Sequence, residues 1–170
     1  VGILVLLAGV LGAAFIAWRV PDQPVSALQA RWAPPPSQFI AVRGMQLHVR
    51  DEGPREDPVP IVLLHGTGAS LHTWDGWVAA LRPHRRVIRI DLPGFGHSDG
   101  RPELIAPDAS GAFLARLIDE WGLGAPHVVG PDVGTAAALF LAAKAPERVT
   151  SLTIGGGAVR FPIEAGGALK

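Results

Sequence analysis

Cysteine is absent from the 170 residues, which removes disulfides, thiol catalysis and cysteine metal sites from consideration. No basic run occurs either, and 15 Lys and Arg balance 15 Asp and Glu. A nucleic-acid partner requires a concentrated positive face, so none is expected. The six histidines (His48, His65, His72, His84, His97 and His127) are scattered. None forms a His-x-x-x-His pair or a cluster with carboxylates, so neither a metal nor another cofactor is expected. A chain of this length has room for one domain with a good core.

What is present begins with an apolar run. Val1 to Trp18, VGILVLLAGVLGAAFIAW, contains no charge and ends at Arg19. As a helix it would span ~27 Å, close to the hydrocarbon thickness of a bilayer. The expected reading is a single-pass N-terminal membrane anchor. The alternatives are a cleaved signal segment of an exported protein, with Gly12 and Ala14 near the cut, and a buried core helix. Residues 19–37 are proline-rich and read as a semi-rigid spacer between that segment and a domain over 38–170. An irregular linker is expected there. A Ser26-x-x-Gln29 capping pattern offers the alternative of one or two helical turns over Val25 to Trp32, with Leu28 and Trp32 at the lipid surface.

Beyond the spacer, short alternating runs at Gln38 to Val42 and Met45 to Arg50 flank Arg43-Gly44, the pattern of a β-hairpin. Pro60 to Leu64 is a continuous apolar run, as in a strand buried on both faces of a parallel sheet. Leu71, Trp74, Val78 and Leu81 recur at helical spacing, and Arg86 to Ile90 makes the next strand. A helix is expected from about Asp108 to Trp121, and a last strand from Val149 to Ile154. Alternating strands and helices of this length predict an α/β fold with a mostly parallel sheet and right-handed crossovers.

The chain is organised around Pro126 to Val149, PHVVGPDVGTAAALFLAAKAPERV. A short strand, His127 to Val129, enters Gly130-Pro131-Asp132-Val133-Gly134, and a helix from Thr135 to Ala145 leaves it. Small residues two before and two after a central side chain let the backbone turn sharply, so that this side chain projects alone beside free helix N–H groups. That side chain is Asp132. A carboxylate there is held ionised by the N–H donors and the helix dipole, which suits a nucleophile.

Three features in order resemble the α/β-hydrolase superfamily: the apolar strand ending in His65-Gly66, the loop Asp91-x-Pro93-Gly94-x-Gly96-x-Ser98, and the Gly130-x-Asp132-x-Gly134 elbow followed by Pro146-Glu147-Arg148-Val149. The resemblance covers about residues 38 to 160. It implies an oxyanion hole from the backbone N–H groups of Thr67 and Val133, with His65, Gly66, Gly130 and Gly134 setting the geometry. It also implies that His65 is structural and is not the base. Most members carry serine at the elbow; Asp132 is similar to the epoxide hydrolase and haloalkane dehalogenase branches. There the carboxylate forms an alkyl ester with a saturated carbon, and the implied substrate here is small and apolar, with Trp74, Trp77 and Phe95 as candidate contacts.

The chain departs from those branches at Val133, where tryptophan is common, at Gly68, where proline is common, and at Thr135, where a second glycine is common. A β-branched Thr135 is expected to hold the elbow helix slightly away. After Asp132 the sequence contains no histidine, and the acids are Glu147 and Glu164. The family order places an acid and then a histidine after the nucleophile, so the resemblance is to the first half of such an enzyme, with a sheet incomplete on its C-terminal side. Two other readings stand beside the hydrolase: a non-catalytic binding protein on the same fold, and a truncated, inactive fragment.

Overall fold

The computed structural model describes residues 2–20, 22–104 and 106–156. The chain divides into two compact units, Val1–Trp32 and Ala33–Lys170.

In the first unit the apolar run forms helix α1, Gly2–Trp18, with no buried residue. Its 17 residues reach ~25 Å at 1.5 Å per residue, less than the ~30 Å of a hydrocarbon core. Among the described residues no helix is long and apolar enough to cross a membrane, so the fold does not support the expected N-terminal membrane helix. The expected irregular spacer is also corrected in part, because Val25–Trp32 forms helix α2. Its first turn is closed by the Pro24 carbonyl, which accepts from the N–H groups of Ala27 at 3.0 Å and Leu28 at 3.2 Å. Ser26 therefore lies inside the helix and is not its cap.

The second unit is built on six strands: β1 (Gln38–Val42), β2 (Met45–Glu52), β3 (Ile61–Leu64), β4 (Val87–Ile90), β5 (His127–Pro131) and β6 (Ser151–Gly155). Their order in the sheet is β1-β2-β4-β3-β5-β6. Strand β2 runs antiparallel to β1 and β4, whereas β3, β4, β5 and β6 are mutually parallel. Strand β6 is the edge of the sheet among the described residues. Helices α3 (Asp75–Leu81), α4 (Pro107–Glu120) and α5 (Val133–Lys144) supply the crossovers.

Apolar β3 is buried on both faces because the sheet has a core on each side. Val62 and Leu64 join Ile88 and Ile90 under α4 and α5, while Ile61 and Leu63 join Val87, Trp74 and Val78 on the α3 side. The period-2 geometry of a strand dictates this division. Helices α4 and α5 cross closely at Gly111, where a Cβ would lie 2.6 Å from the Phe140 Cβ and 2.9 Å from the Leu141 nitrogen.

Two boundaries differ from the sequence reading for identifiable reasons. The helix expected from Leu71 begins as a 3-10 turn, Leu71–Trp74. Its backbone is tied elsewhere: Leu71 N–H donates to Asp91 Oδ1 at 2.7 Å, and the Leu71 carbonyl accepts from Arg89 at 3.3 Å. The last strand starts at Ser151 and not at Val149, because Val149 N–H closes a turn onto the Pro146 carbonyl at 3.2 Å. Glu164 and the rest of the stretch from Val159 to Leu169 lie outside the described residues.

The parallel register brings three loops together. Leu64 pairs with Ile90 and Leu63 with Val129. The loops beginning at His65 and Asp91 and the turn at Asp132 therefore leave the sheet side by side at its carboxyl end, where open α/β sheets place ligands.

Candidate active site

Asp132 joins β5 to α5 with φ 49° and ψ −115°. A non-glycine residue in this region carries strain of roughly 1–3 kcal/mol and persists only where its surroundings enforce it. Two glycines do so here. A Cβ on Gly130 would lie 2.6 Å from the Gly134 carbonyl carbon, and one on Gly134 would lie 2.9 Å from the His65 oxygen. The turn closes only because both positions lack a side chain. Thr135 adds a third fastening. Its buried hydroxyl donates to the Gly130 carbonyl at 2.6 Å, so this β-branched residue also bonds the helix to the strand it follows.

The Asp132 side chain is exposed, and its Oδ2 accepts the Thr67 N–H at 2.8 Å. The Thr67 hydroxyl, the Thr67 N–H and the Val133 N–H all hold the carboxyl below its ordinary value of 3.8. The group therefore stays anionic into acid. The fold thus brings Asp132, Thr67 and Val133 together across 65 residues of sequence. Gly66 faces them, its hypothetical Cβ 3.4 Å from the Asp132 Cβ.

His65 is fully buried. Its Nε2 accepts the Leu92 N–H at 2.9 Å, which leaves the proton on Nδ1 to donate to the Gly66 carbonyl at 2.8 Å. With both nitrogens committed the ring ties the β3 loop to the β4 loop and is unsuited to proton transfer. The other candidates fall into different surroundings. Trp74 is core, its indole N–H donating to the Leu64 carbonyl at 3.2 Å. Trp77 is exposed on the surface. Phe95 lies edge-on to His65 and lines, with Leu92 and Val133, a small apolar cavity of about 50 Å³ next to the elbow. Glu147 is exposed and ion-paired with its neighbour Arg148. Among the described residues no three His, Asp or Glu side chains converge on a point that would suit a metal ion.

A buried pair behind the site escaped the sequence reading. His48 Nδ1–H donates to Asp91 Oδ2 at 2.8 Å, and both side chains are almost wholly buried. The same carboxylate accepts the N–H groups of Leu71 at 2.7 Å and His97 at 2.9 Å. Burial acts to raise the Asp91 pKa, but the bonds from His48, His97 and Leu71 outweigh it and the net shift is downward. Gly96 wraps this group so tightly, at φ 54°, that a Cβ would lie 2.0 Å from Asp91 Oδ2. The signal in the sequence was a polar His48 inside a strand that otherwise buries Met45, Leu47 and Val49.

The family model described as the alpha/beta hydrolase fold matches residues 59–164. The chain is 36% identical over 123 residues to the pimeloyl-[acyl-carrier protein] methyl ester esterase of Methylococcus capsulatus, covering 72% of this chain and 44% of the esterase. It is 33% identical over 112 residues to a haloalkane dehalogenase of Bradyrhizobium diazoefficiens, covering 65% of this chain and 36% of the dehalogenase. The solved structure of an epoxide hydrolase superposes with a TM-score of 0.66 at 25% identity, covering 75% of this chain and 46% of that one. The chain spans 27% to 44% of the length of the curated relatives it matches. With its sheet order, its strained elbow and a family match that takes in β3 to β6, the chain belongs to the alpha/beta hydrolase fold family.

Proposed function

We propose that the protein is a hydrolase in which Asp132 attacks a saturated carbon of a small apolar substrate, an epoxide or a haloalkane. The observation that carries this reading is an exposed carboxylate in a strained turn, held ionised by Thr67 and Val133. In the first step Asp132 Oδ1 bonds to the carbon, and the C–halogen or C–O bond breaks with its electron pair leaving on halide or oxygen. Asp132 becomes an alkyl ester whose carbonyl oxygen, Oδ2, already accepts the Thr67 N–H. Water then attacks Cγ of that ester, the negative charge passes to Oδ2, and the Thr67 and Val133 N–H groups stabilise it. Collapse releases the alcohol and restores the carboxylate. A carboxylate attacking an ester carbonyl would instead give an anhydride, which makes esterase chemistry a poorer fit. A haloalkane dehalogenase and an epoxide hydrolase stand among the proteins the chain is similar to, beside an esterase, so the choice of branch rests on Asp132. As the water attacks it gives its proton to a base, and that proton passes to the departing alkoxide.

Single turnover in heavy-oxygen water tests the route directly. Mass spectrometry of peptides containing Asp132 should find one heavy oxygen in its side chain, because water attacks Cγ. Label confined to the product would mean that water attacked the substrate itself.

We further propose that Val1–Trp18 attaches the protein to a membrane. The support is a helix without charge and without a buried residue. Deleting residues 1–18 should move the protein from the pelleted membrane fraction to the supernatant; an unchanged distribution would rule out this role.

A further inference from the structure

A second concavity shares no residue with Asp132, Thr67 or Val133. It is a cleft of about 520 Å³ bounded by the β1–β2 turn, residues 101–104 and α4. That volume lies within the range of small-molecule sites, roughly 300–1,000 Å³. The floor is apolar, with Met45 and Phe113 buried and Leu104 half-buried. The rim carries Arg43, Arg101 and Arg116 against one carboxylate, Glu103.

The rim is built and held. Arg101 pairs with Glu103 at 3.6 Å and donates to the Arg43 carbonyl at 2.9 Å, which fastens the hairpin turn to the far wall. Arg43 sits at φ 50° and Gly44 at φ 77°, and a Cβ on Gly44 would lie 3.3 Å from Arg101 Nη2, so the turn is shaped to admit that side chain. Glu103 answers Arg101. Among the described residues, Arg43 and Arg116 remain exposed over the apolar floor without a carboxylate on this rim to answer them. Guanidinium groups bind oxyanions through paired N–H donors, and an apolar floor beneath them favours a ligand with a hydrocarbon chain behind its charged head.

We propose that this cleft binds an anionic amphiphile, a medium-chain alkyl carboxylate or alkyl phosphate, with the head between Arg43 and Arg116 and the chain on Met45, Leu104 and Phe113. The site contains none of Asp132, Thr67 and Val133, and it shares Leu104 with the small cavity beside the elbow.

Calorimetric titration of the intact natural protein tests it. Decanoate and decyl phosphate are compared with acetate, inorganic phosphate and decanol, and the tighter of the first two identifies the head. Expected results are binding of at least one amphiphile about tenfold or more tighter than its headless and tailless counterparts, and a loss of about tenfold or more in the double variant Arg43→Gln, Arg116→Gln. Ala112→Trp, at an exposed position on α4 that lines the cleft, should fill it and abolish binding. Asp132→Asn should leave affinity unchanged. Equal affinity for decanol and decanoate, or full affinity in the double arginine variant, would overturn the proposal. So would loss of binding in Asp132→Asn with retention in Ala112→Trp, which would put the ligand at the elbow. Thermal midpoints confirm folding of each variant, and the two exposed arginines keep the test decisive if Ala112→Trp fails to fold.

Discussion

Asparagine at position 132 is expected to lower turnover of epoxides or haloalkanes by on the order of 10⁴- to 10⁶-fold, the usual consequence of removing a covalent nucleophile. The substitution keeps the shape of the side chain, and its amide oxygen still accepts the Thr67 N–H, so the strained turn has no reason to relax. What it removes is the charge and the nucleophilic oxygen pair. The thermal midpoint should therefore stay within a few degrees of the parent while the rate collapses. Steady-state kinetics on a panel of short chloroalkanes and terminal epoxides, with calorimetry beside it, separates the two effects. Retention of more than about a tenth of the rate would mean that another group does the chemistry. No turnover in the parent, with no change of ligand binding in the variant, would favour the binding-protein reading of this fold. The low-pH limb of the parent should also lie below the ordinary carboxylate value of 3.8, because Thr67 and Val133 depress the Asp132 pKa.

The largest loss of stability is expected from Asp91→Ala. The carboxylate accepts from His48, Leu71 and His97, and its removal strands the buried His48 and Leu71 donors and unties the half-buried His97, at a cost of about 3–5 kcal/mol. Asp91→Asn is not a rescue. Oδ1 takes the Leu71 N–H and Oδ2 takes both His48 and His97, so the amide NH₂ must face a donor in either orientation. Urea denaturation of the two variants measures this, and a cost under about 1 kcal/mol for alanine would show that the network is dispensable. The pH dependence has a fixed sign. Asp91 titrates lower in the folded state than in the unfolded chain, so its contribution is present above pH 3.8 and is lost as pH falls further. His97 is also depressed, first by burial and then by His48. The unfolded chain takes up that proton more readily, so stability begins to fall as pH drops through 6.5. Denaturation midpoints should decline in two stages with acidification, and Asp91→Asn should flatten the lower one.

Features with a period were legible in the sequence. Alternation marked β1 and β2, the unbroken run Ile61 to Leu64 marked a strand covered on both faces, and the two small residues around Asp132 marked the turn. The placement of Thr67 and Val133 on one carboxylate follows from that turn and from the parallel register of β3 and β5. What escaped was set by single polar bonds between distant residues. His48 and Asp91 are 43 positions apart and share no local pattern. The 3-10 start at Leu71 results from bonds to Asp91 and Arg89, neither of which a helical wheel can foresee. Helix α2 closes on the carbonyl of Pro24, whereas the capping pattern at Ser26 pointed two residues too far along. The bond from the Thr135 hydroxyl to Gly130 had no signal in the local pattern either.

Strand β3 is apolar at every position, and that makes it a poor judge of its own alignment. Ile61 and Leu63 are exchangeable in character with Val62 and Leu64, so a one-residue slip would cost the two cores little, yet it would turn every side chain to the opposite face. Thr67 would then point its N–H away from Asp132. The His65 ring, pinned to Leu92 and Gly66, is the peg that sets the count. A fully buried imidazole thereby decides whether the carboxylate meets its donors.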